Sequence, residues 1–480
     1  MTDQEKQSLT EESESGNTLK PSAAGAAAKV VRYYVRTAIV TPQILFLVIG
    51  LVFGLVLVFV NPMFHAPDEI YHFEKSYAVS EGTLVPAKKG GLTGYRLPVS
   101  IQKTFDTLRV APGVRPTGPE VHRAFRIPLK QGVSAFYESP SASHYTPVPY
   151  IPQAVGVGIG RVLDASPLTL AYMGRAFNLL AWLILVFIAI SFTPVLKWVF
   201  FLLAVMPMSM HQAASLSPDC VTTAVAFLFA AFVFKLAWDK RKPLVTHNDI
   251  ALLFALAILL ALVKPPYFLL VFLVFLIPSR KFRNVKQYRL VVGIMLLIVL
   301  LVGISLTALA AATYHSPVRE MSQGGQASYI TKHPLKYANI VLRNLNRGKE
   351  DLLYSFAGVF GLAESALPAW LPFVYLFVLF CAAALDKDYK IKVGLAPKLL
   401  GAGVFLVTSF GIVTALYLAR TPVGDASVLA LQGRYLIPLA PLVFLLFYNR
   451  VVEYEKNRVF YAIMVVIPVL AAVMTILKIA

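Results

Sequence analysis

The stretch QILFLVIGLVFGLVLVFVNPMFHAPDE, residues 43–69, contains the features that decide the fold and suggest a site. It begins with the run 43–60, which is apolar after Gln43 and is long enough to cross a bilayer as a helix. A few residues later the chain places two carboxylates side by side, Asp68 and Glu69. Charged groups at the mouth of a membrane span are costly and hard to explain as packing, so this pair marks a candidate functional site.

The composition of the whole chain agrees with this first run. Of 480 residues, 57% are hydrophobic and 14% are charged, and a soluble protein of this length could not bury so much apolar surface. We therefore predict an all-α polytopic membrane protein with about 11 transmembrane helices. The predicted spans are 43–60, 169–190, 195–211, 219–238, 248–263, 267–278, 290–312, 369–385, 398–418, 433–448 and 459–477.

The net charge of +19 does not require a nucleic-acid partner, because basic residues accumulate in the cytoplasmic loops of membrane proteins. Basic clusters between the apolar runs predict a cytoplasmic N-terminus and an outer C-terminus. These clusters are Arg32 with Arg36, 240–242, 280–289, 387–398 and 450–458. Residues 1–40 are polar and then basic, so we expect a disordered cytoplasmic tail before a transmembrane domain over 41–480.

A twelfth, weaker apolar run covers 147–163 and contains three prolines, three glycines and Arg161. The charge pattern puts Asp68 and the turn before Asp219 on the same outer face, so an even number of crossings separates them. The runs 169–190 and 195–211 already supply two crossings. We therefore expect 147–163 to be a re-entrant or juxtamembrane helix, and 62–146 and 313–366 to be long outer loops.

This topology gathers the unusual polar residues of the membrane region on the outer face. Asp68 and Glu69, with His72 nearby, either cap a helix after Pro67 or act in chemistry, as a general base or as ligands of a divalent cation. Asp219 follows the string SLSP at the start of a span and is again either an N-cap or a site residue. His144 precedes the proline-rich run and is either an interfacial residue or part of the site.

Basic residues lie at the outer ends of three predicted spans. Lys264, followed by Tyr267 in KPPYFLL, either extends to the interface or holds a phosphate as a point charge. Arg434, with Tyr435 beside it, is either an interfacial anchor or a bidentate phosphate clamp. Arg175 enters more deeply into an apolar run and therefore needs a partner there.

The sequence contains no P-loop, GxGxxG, HExxH or CxxC pattern. Cys220 and Cys381 lie in or beside apolar runs and predict neither a disulfide framework nor a metal site. We expect no cofactor or metal to be required, although a divalent cation would be compatible with the acidic pair.

Six strings, spread in order over nearly the whole membrane region, resemble the GT-C superfamily of membrane glycosyltransferases. They are APDEIYHFEKSYAVSEG (66–82), HYTPVPYIPQAVG (144–156), SLSPDCVT (215–222), KPPYFLL (264–270), FGLAESALP (360–368) and QGRYLIPLAP (432–441). Within that superfamily the chain is similar to a broad bacterial family of polytopic membrane proteins with a Pro-Asp-Glu motif in the first outer loop. Where that family has Pro-Pro before the acidic pair, this chain has Ala66-Pro67.

The resemblance implies a GT-C-like helix bundle with its active site on the outer, periplasmic face of the bacterial cytoplasmic (inner) membrane. It implies an inverting glycosyltransferase that moves a sugar from a polyprenyl-phosphate donor to a cell-envelope glycan, lipid or protein. In such an enzyme Asp68 would be the catalytic base and Glu69 would support it, while Lys264 and Arg434 would neutralise the departing phosphate. The run 147–163 would help to form a groove for the lipid chain.

Two other functions are compatible with the pattern. A transporter or flippase for a lipid-linked or anionic glycan would need polar groups deep in several spans, whereas the apolar runs here are clean at mid-depth. A non-catalytic scaffold in envelope assembly is the third interpretation.

Overall fold

A computed structural model of the chain describes residues 41–111, 114–313, 322–360, 365–386, 391–449 and 458–480. The predicted tail, 1–40, and several basic residues of the predicted cytoplasmic clusters lie outside these ranges; they include Lys387, Lys390, Arg450 and Lys456. Parts of the predicted second outer loop, 314–321 and 361–364, also lie outside the described residues.

The described residues are mainly helical. In chain order the α-helices are α1 (Pro42–Val60), α2 (Glu69–Ser80), α3 (Val99–Leu108), α4 (Gly118–Phe125), α5 (Pro140–Ser143), α6 (Ile151–Val162), α7 (Pro167–Phe192), α8 (Lys197–Val205), α9 (Pro207–Ala213), α10 (Asp219–Trp238), α11 (His247–Val263), α12 (Val285–Thr313), α13 (Gln323–Lys332), α14 (Pro334–Arg347), α15 (Lys349–Ala357), α16 (Trp370–Leu385), α17 (Leu395–Arg420), α18 (Ala440–Phe444) and α19 (Arg458–Ile479). The 3₁₀ helices are Val148–Tyr150, Tyr267–Leu276, Ser279–Lys281 and Gly433–Leu439. The strands are β1 (Ala87–Lys89), β2 (Leu92–Pro98), β3 (Ser134–Glu138), β4 (Val359–Phe360) and β5 (Ser365–Ala366).

Among the described residues, six helices are long and apolar enough to cross a membrane: α1, α7, α10, α12, α17 and α19. Four shorter apolar helices accompany them: α11, Tyr267–Leu276, α16 and Gly433–Phe444. Helix α10 is the most enclosed of the six, with 94% of its apolar window buried inside the protein. The multi-pass membrane character follows from these helices, while the number of about 11 crossings stays a prediction.

Three predicted spans are not continuous α-helices. The run 195–211 divides into α8 and α9 at Met206, whose backbone is extended because a residue that precedes proline disfavours the helical conformation. The run 267–278 forms a 3₁₀ helix of 10 residues, which spans only about 20 Å. The run 433–448 begins as a 3₁₀ helix that contains Pro438, which cannot donate a backbone hydrogen bond, before it continues as α18.

Helix α6 contains 12 residues and is therefore about 18 Å long, less than the ~30 Å of a bilayer core. It packs closely along α7 through small residues. A Cβ atom on Gly156 would lie 2.5 Å from the carbonyl oxygen of Met173, and one on Gly160 would lie 2.5 Å from a methyl group of Leu170. The re-entrant or juxtamembrane position of this helix stays a prediction.

The described residues of the first long connection, 62–146, fold into a compact unit that we call the loop domain. It contains α2 to α5 and an antiparallel sheet in the order β1-β2-β3, in which Tyr95 pairs with Tyr137. Aromatic packing forms its core: the ring centroids of Phe64 and Phe105 lie 4.7 Å apart. The all-α prediction missed this sheet, because strands of three to seven residues are too short to show a periodic pattern.

Contacts between connections that are distant in sequence indicate which connections lie at the same end of the helix bundle. In the loop domain, Arg115 donates a hydrogen bond to the carbonyl oxygen of Ala480 at 2.8 Å, so the end of α19 and this connection lie at the same end. At the opposite end the carboxylate of Asp386 accepts a hydrogen bond from the backbone N–H of Trp198 at 3.0 Å. This grouping of connections agrees with the charge-based topology, whose absolute orientation stays a prediction.

Candidate functional site

One cavity of about 300 Å³, which we call the central cavity, brings together residues that are distant in the sequence. Most of the predicted site residues line it: Asp68, His72, His144, Asp219, Lys264, Tyr267, Arg434 and Tyr435. The other two, Glu69 and Arg175, do not. The lining residues come from the start of α2, the end of the loop domain, the start of α10, the residue after α11 and two 3₁₀ segments. The topology argument predicted that they share a face, and the fold brings them into contact with one space.

Asp68 immediately precedes α2 and has a left-handed backbone conformation, with φ of 58°. Aspartate tolerates this region better than most residues, but it is still an uncommon conformation for any side chain other than glycine. The side chain makes no capping hydrogen bond to α2, although the residue occupies the N-cap position. Among the described residues, none forms a hydrogen bond or ion pair with its carboxylate, which is exposed to the cavity.

Glu69 points away from the central cavity and forms a buried ion pair with Arg175. The two bonds are 2.8 Å from Nε to Oε1 and 2.6 Å from Nη2 to Oε2, and neither side chain is exposed. Burial alone would raise the pKa of Glu69, but the adjacent guanidinium outweighs it and holds the pKa below its ordinary value. The carboxylate also accepts a hydrogen bond from the backbone N–H of Leu216 at 3.1 Å.

The remaining donors of Arg175 bind the last turn of α1 and the residues that follow it. They donate to the carbonyl oxygens of Val58 (3.1 Å), Asn61 (2.7 Å) and Pro62 (3.0 Å), at and just beyond the end of α1. The ion pair therefore joins the end of α1, the start of α2 and the turn before α10. Asp68 immediately precedes Glu69 in the chain. The ion pair therefore positions Asp68, although neither Glu69 nor Arg175 lines the cavity.

Asp219 lies between the two cations of the central cavity. Its Oδ1 is 2.5 Å from Nζ of Lys264, and its Oδ2 is 3.8 Å from Nε of Arg434. Pro218 occupies the N-cap position of α10, so the carboxylate of Asp219 faces these cations as the first helical residue. All three side chains are at most 13% exposed, so Lys264 and Arg434 are held in the cavity and do not extend to an interface.

Aromatic rings fix the two cations. Nζ of Lys264 lies 4.7 Å from the ring centroid of Tyr435 and 5.5 Å from that of Tyr145, distances typical of cation–π attraction. The guanidinium carbon of Arg434 lies 5.3 Å from the ring of Tyr435. The Tyr267 hydroxyl donates to the carbonyl oxygen of Tyr435 at 2.8 Å, which links the two 3₁₀ segments.

Two histidines of the cavity are held neutral at physiological pH. Burial lowers the pKa of His72 to about 4, with the nearby carboxylates opposing the shift and the cations adding to it. Its Nδ1 lies 2.9 Å from the hydroxyl of Tyr150. Burial also lowers the pKa of His144 to about 3, with further contributions from Arg420 and Lys75. Neither ring therefore adds a positive charge to the cavity at pH 7.

Lys75 holds the segment that carries His144. It is fully buried on α2, and its ammonium group donates to the carbonyl oxygen of Ala142 at 2.9 Å and to that of Tyr145. Burial lowers the pKa of Lys75 to about 7. The lysine is therefore a positioning group for the end of the loop domain.

Sequence reasoning missed a third cation of the cavity, Arg420, and the polar side chain of Gln323. Arg420 ends α17, two residues beyond the predicted span 398–418, and this position at the end of an apolar run is a signal that could have identified it. The same helix forms an apolar wall of the cavity with Ile412, Leu416 and Ala419.

Gly433 allows the second long connection to approach Arg434. A Cβ atom on this glycine would lie 1.8 Å from the carbonyl oxygen of Leu352 in α15, so only glycine fits. Its N–H donates to the hydroxyl of Ser355 at 2.7 Å. Within the described ranges, no group of three or more His, Cys, Asp or Glu residues is arranged to hold a metal ion.

Comparison with known proteins gives a family. Residues 51–443 match a protein family that is described as "Predicted membrane protein (DUF2142)". This range includes every residue of the central cavity named above. The chain belongs to this family. No curated protein matches the chain, and no solved structure does.

Proposed function

We propose that this member of the DUF2142 membrane protein family is an inverting glycosyltransferase. It would move a sugar from a polyprenyl-phosphate donor to a cell-envelope acceptor at the outer face of the cytoplasmic membrane. The observation that carries the proposal is the composition of the central cavity. It combines one carboxylate without a partner among the described residues, Asp68, with a pair of buried cations, Lys264 and Arg434, beside an apolar wall.

The reaction needs a base and an anion site on opposite sides of one sugar carbon. In the proposed reaction, the carboxylate of Asp68 accepts the proton of an acceptor hydroxyl as its oxygen attacks the anomeric carbon. The bond between that carbon and the phosphate oxygen breaks, and the electron pair leaves with the lipid phosphate. Attack from the face opposite the leaving group inverts the anomeric centre. The phosphate is a good leaving group, so no separate general acid is needed.

The two cations can stabilise the negative charge that develops on the leaving phosphate. Lys264 supplies a compact charge, and Arg434 supplies a planar group that can bind two phosphate oxygens. Asp219 keeps both oriented, so they need little rearrangement when the anion binds. A phosphate would share these cations with Asp219, which limits its affinity and favours release of the product.

The apolar wall of α17 suits a polyprenyl chain. Ile412, Leu416 and Ala419 lie in a helix that is apolar and long enough to cross the membrane, next to the polar end of the same cavity. A donor lipid could therefore leave its chain in the hydrocarbon region while its phosphate reaches the cations. A nucleotide-linked sugar offers no chain for such a wall.

Sugar transfer by the purified protein tests the proposal. The full chain, reconstituted in liposomes, is given undecaprenyl phosphate carrying radiolabelled hexoses, together with an acceptor fraction of bacterial envelope polysaccharide. We expect labelled acceptor with inverted anomeric configuration and release of undecaprenyl phosphate. Movement of the labelled donor between leaflets without any transfer would contradict the proposal and indicate the transporter or flippase.

A further inference from the structure

A second cavity lies within the loop domain, on the other side of α2 from the central cavity. Asp68 and His72 line the central cavity, whereas Ile70, Tyr71 and Glu74 line this second space, which we call the loop cavity. Helix α2 is therefore a wall shared by both cavities. The loop cavity has a volume of about 550 Å³, and none of its lining residues has a role in the chemical steps described above.

The polar lining of the loop cavity is rich in hydrogen-bond acceptors. Glu74 from α2, Asp106 from α3 and Glu138 from the end of β3 each contribute a carboxyl group. The amide of Gln102, which also lines the cavity, donates to Asp106 at 2.9 Å. Arg109 is the one cation of the lining, and it pairs with Glu120 at 3.1 Å, outside the cavity lining.

Two tyrosines present ring surface to the same space. Tyr71 and Tyr137 are half-buried, and in the described part of the chain neither ring contacts another aromatic ring and neither hydroxyl has a hydrogen-bond partner. Tyr137 is held rigidly in β3, where it pairs with Tyr95 across the sheet. Flat ring faces next to carboxyl groups suit a ligand that has both apolar C–H surface and hydroxyl groups.

Glu74 provides an independent indication of a ligand. It is only 3% exposed, and its Oε2 has no hydrogen-bond partner among the described residues. A buried polar atom without a partner is costly, so this oxygen calls for a bound group or a water molecule. Burial raises the pKa of Glu74 to about 8, with the Ser139 hydroxyl opposing the shift, so the protonated carboxyl group, which can donate as well as accept, is present at neutral pH.

We infer that the loop cavity binds one sugar ring of a neutral saccharide chain, and that this chain is the acceptor of the proposed transfer. The tyrosine rings stack on the C–H faces of the sugar, and the carboxyl groups bond to its hydroxyls. A quaternary organic cation would offer no hydrogen-bond donor to Oε2 of Glu74, which has no partner among the described residues. The role as acceptor rests on the proposed function, whereas the binding of a saccharide does not.

Saturation-transfer NMR on the full-length protein in detergent tests this inference. The probe is a mixture of neutral oligosaccharides released from bacterial envelope polysaccharide by mild acid. We expect saturation transfer to sugar protons, and a fall in affinity of about tenfold or more for Tyr137→Ala, because the stacking surface is lost. Tyr137→Phe is the matched control and should retain the affinity, because the hydroxyl has no partner among the described residues.

Two further variants keep the test decisive. Glu74→Leu approximately preserves size and removes both hydrogen-bonding oxygens, so it should weaken binding even if Tyr137→Ala is poorly folded. Asp164→Asn should leave saccharide binding unchanged, because Asp164 lines neither the loop cavity nor the central cavity.

Absence of saturation transfer would overturn the inference, as would equal binding by wild type, Tyr137→Ala and Glu74→Leu. Tighter binding of tetramethylammonium than of the oligosaccharides would overturn it too. Saccharide binding by a protein that transfers no sugar from any donor would support the loop cavity as a saccharide site while contradicting the proposed function.

Discussion

Arg175 and Glu69 form a bidentate ion pair, 106 residues apart in sequence, in which neither side chain is exposed. This pair fixes the backbone on the N-terminal side of α2, and Asp68 is the next residue toward the cavity. The adjacent carboxylates therefore have separate roles. Glu69 is held within the protein by a cation and positions the turn, whereas Asp68 extends into the central cavity.

Replacement of Arg175 by methionine should destabilise the protein strongly. The change leaves the charge of Glu69 buried without its partner and removes donors from three carbonyl oxygens, and breaking such a pair costs about 3–5 kcal/mol. Thermal unfolding in detergent measures the loss. Arg241→Met is the control, because Arg241 forms an ion pair with Asp239 but its side chain is 91% exposed; it should have a much smaller effect. Equal losses in the two variants would contradict the role of the buried pair.

Lys264→Met should weaken the stabilisation of the leaving phosphate. The cation faces the cavity, and the loss of one group that stabilises developing charge typically lowers turnover by about 10²–10³-fold. The measurement is the rate of sugar transfer by the purified variant at saturating donor. Lys281→Met changes a lysine whose ammonium group donates to the carbonyls of Asp239 and Lys242, away from the cavity, and should retain the rate. A Lys264 variant as active as wild type would remove this residue from the proposed anion site.

Gly156→Ala should destabilise the contact between α6 and α7. The added methyl group would lie 2.5 Å from the carbonyl oxygen of Met173, and overpacking of this kind costs about 1–3 kcal/mol. Gly158→Ala, two residues away in the same helix, meets nothing closer than 3.8 Å and should be neutral or slightly stabilising because alanine favours helix. Thermal unfolding of the two variants provides the comparison, and the reverse order of stability would contradict the packing of α6 on α7.

The neutral state of His72 should appear in the pH dependence of stability. Its pKa is lowered from 6.5 to about 4 in the folded protein, so below pH 6.5 the unfolded chain binds a proton that folded His72 does not. This residue therefore contributes a fall in the free energy of unfolding as pH drops from about 6.5 toward about 4, and no change above that window.

Comparison with His72→Gln isolates this contribution, because other buried groups, such as His144 and Glu74, titrate in both proteins. The unfolding temperature of the variant should fall less between pH 7 and pH 4.5 than that of wild type. Parallel curves for the two proteins would show that His72 is protonated equally in the folded and unfolded states.

The sequence was enough to predict those cavity residues whose position depends only on the order of the apolar runs and the basic clusters between them. Asp68, Asp219, Lys264 and Arg434 each follow or precede an apolar run, so the charge pattern was enough to assign them to one face. Contacts set by packing could not be predicted in this way. The partner of Arg175 lies in another helix 106 residues away, and no local pattern connects the two.

The hydrophobicity of the apolar runs also did not predict their backbone conformation. Residues 267–276 are all apolar or aromatic, which is compatible with an α-helix, yet they form a 3₁₀ helix. The sheet of the loop domain was missed for a related reason, since its strands are shorter than the window in which alternation can be recognised. Local hydrophobicity therefore predicted which segments are buried in the bundle, but not the geometry of each segment.

The transfer rate of Asp68→Asn tests the central claim, that Asp68 is the base of a sugar transfer in the central cavity. The amide is nearly isosteric and cannot accept the proton, so we expect a loss of about 10²–10⁴-fold in turnover. Binding of undecaprenyl phosphate, measured in parallel, should be retained, because Lys264 and Arg434 are unchanged. Asp164→Asn alters a carboxylate on the connection between α6 and α7, also in a left-handed conformation, and should leave the rate unchanged. A rate for Asp68→Asn equal to that of wild type would contradict the account.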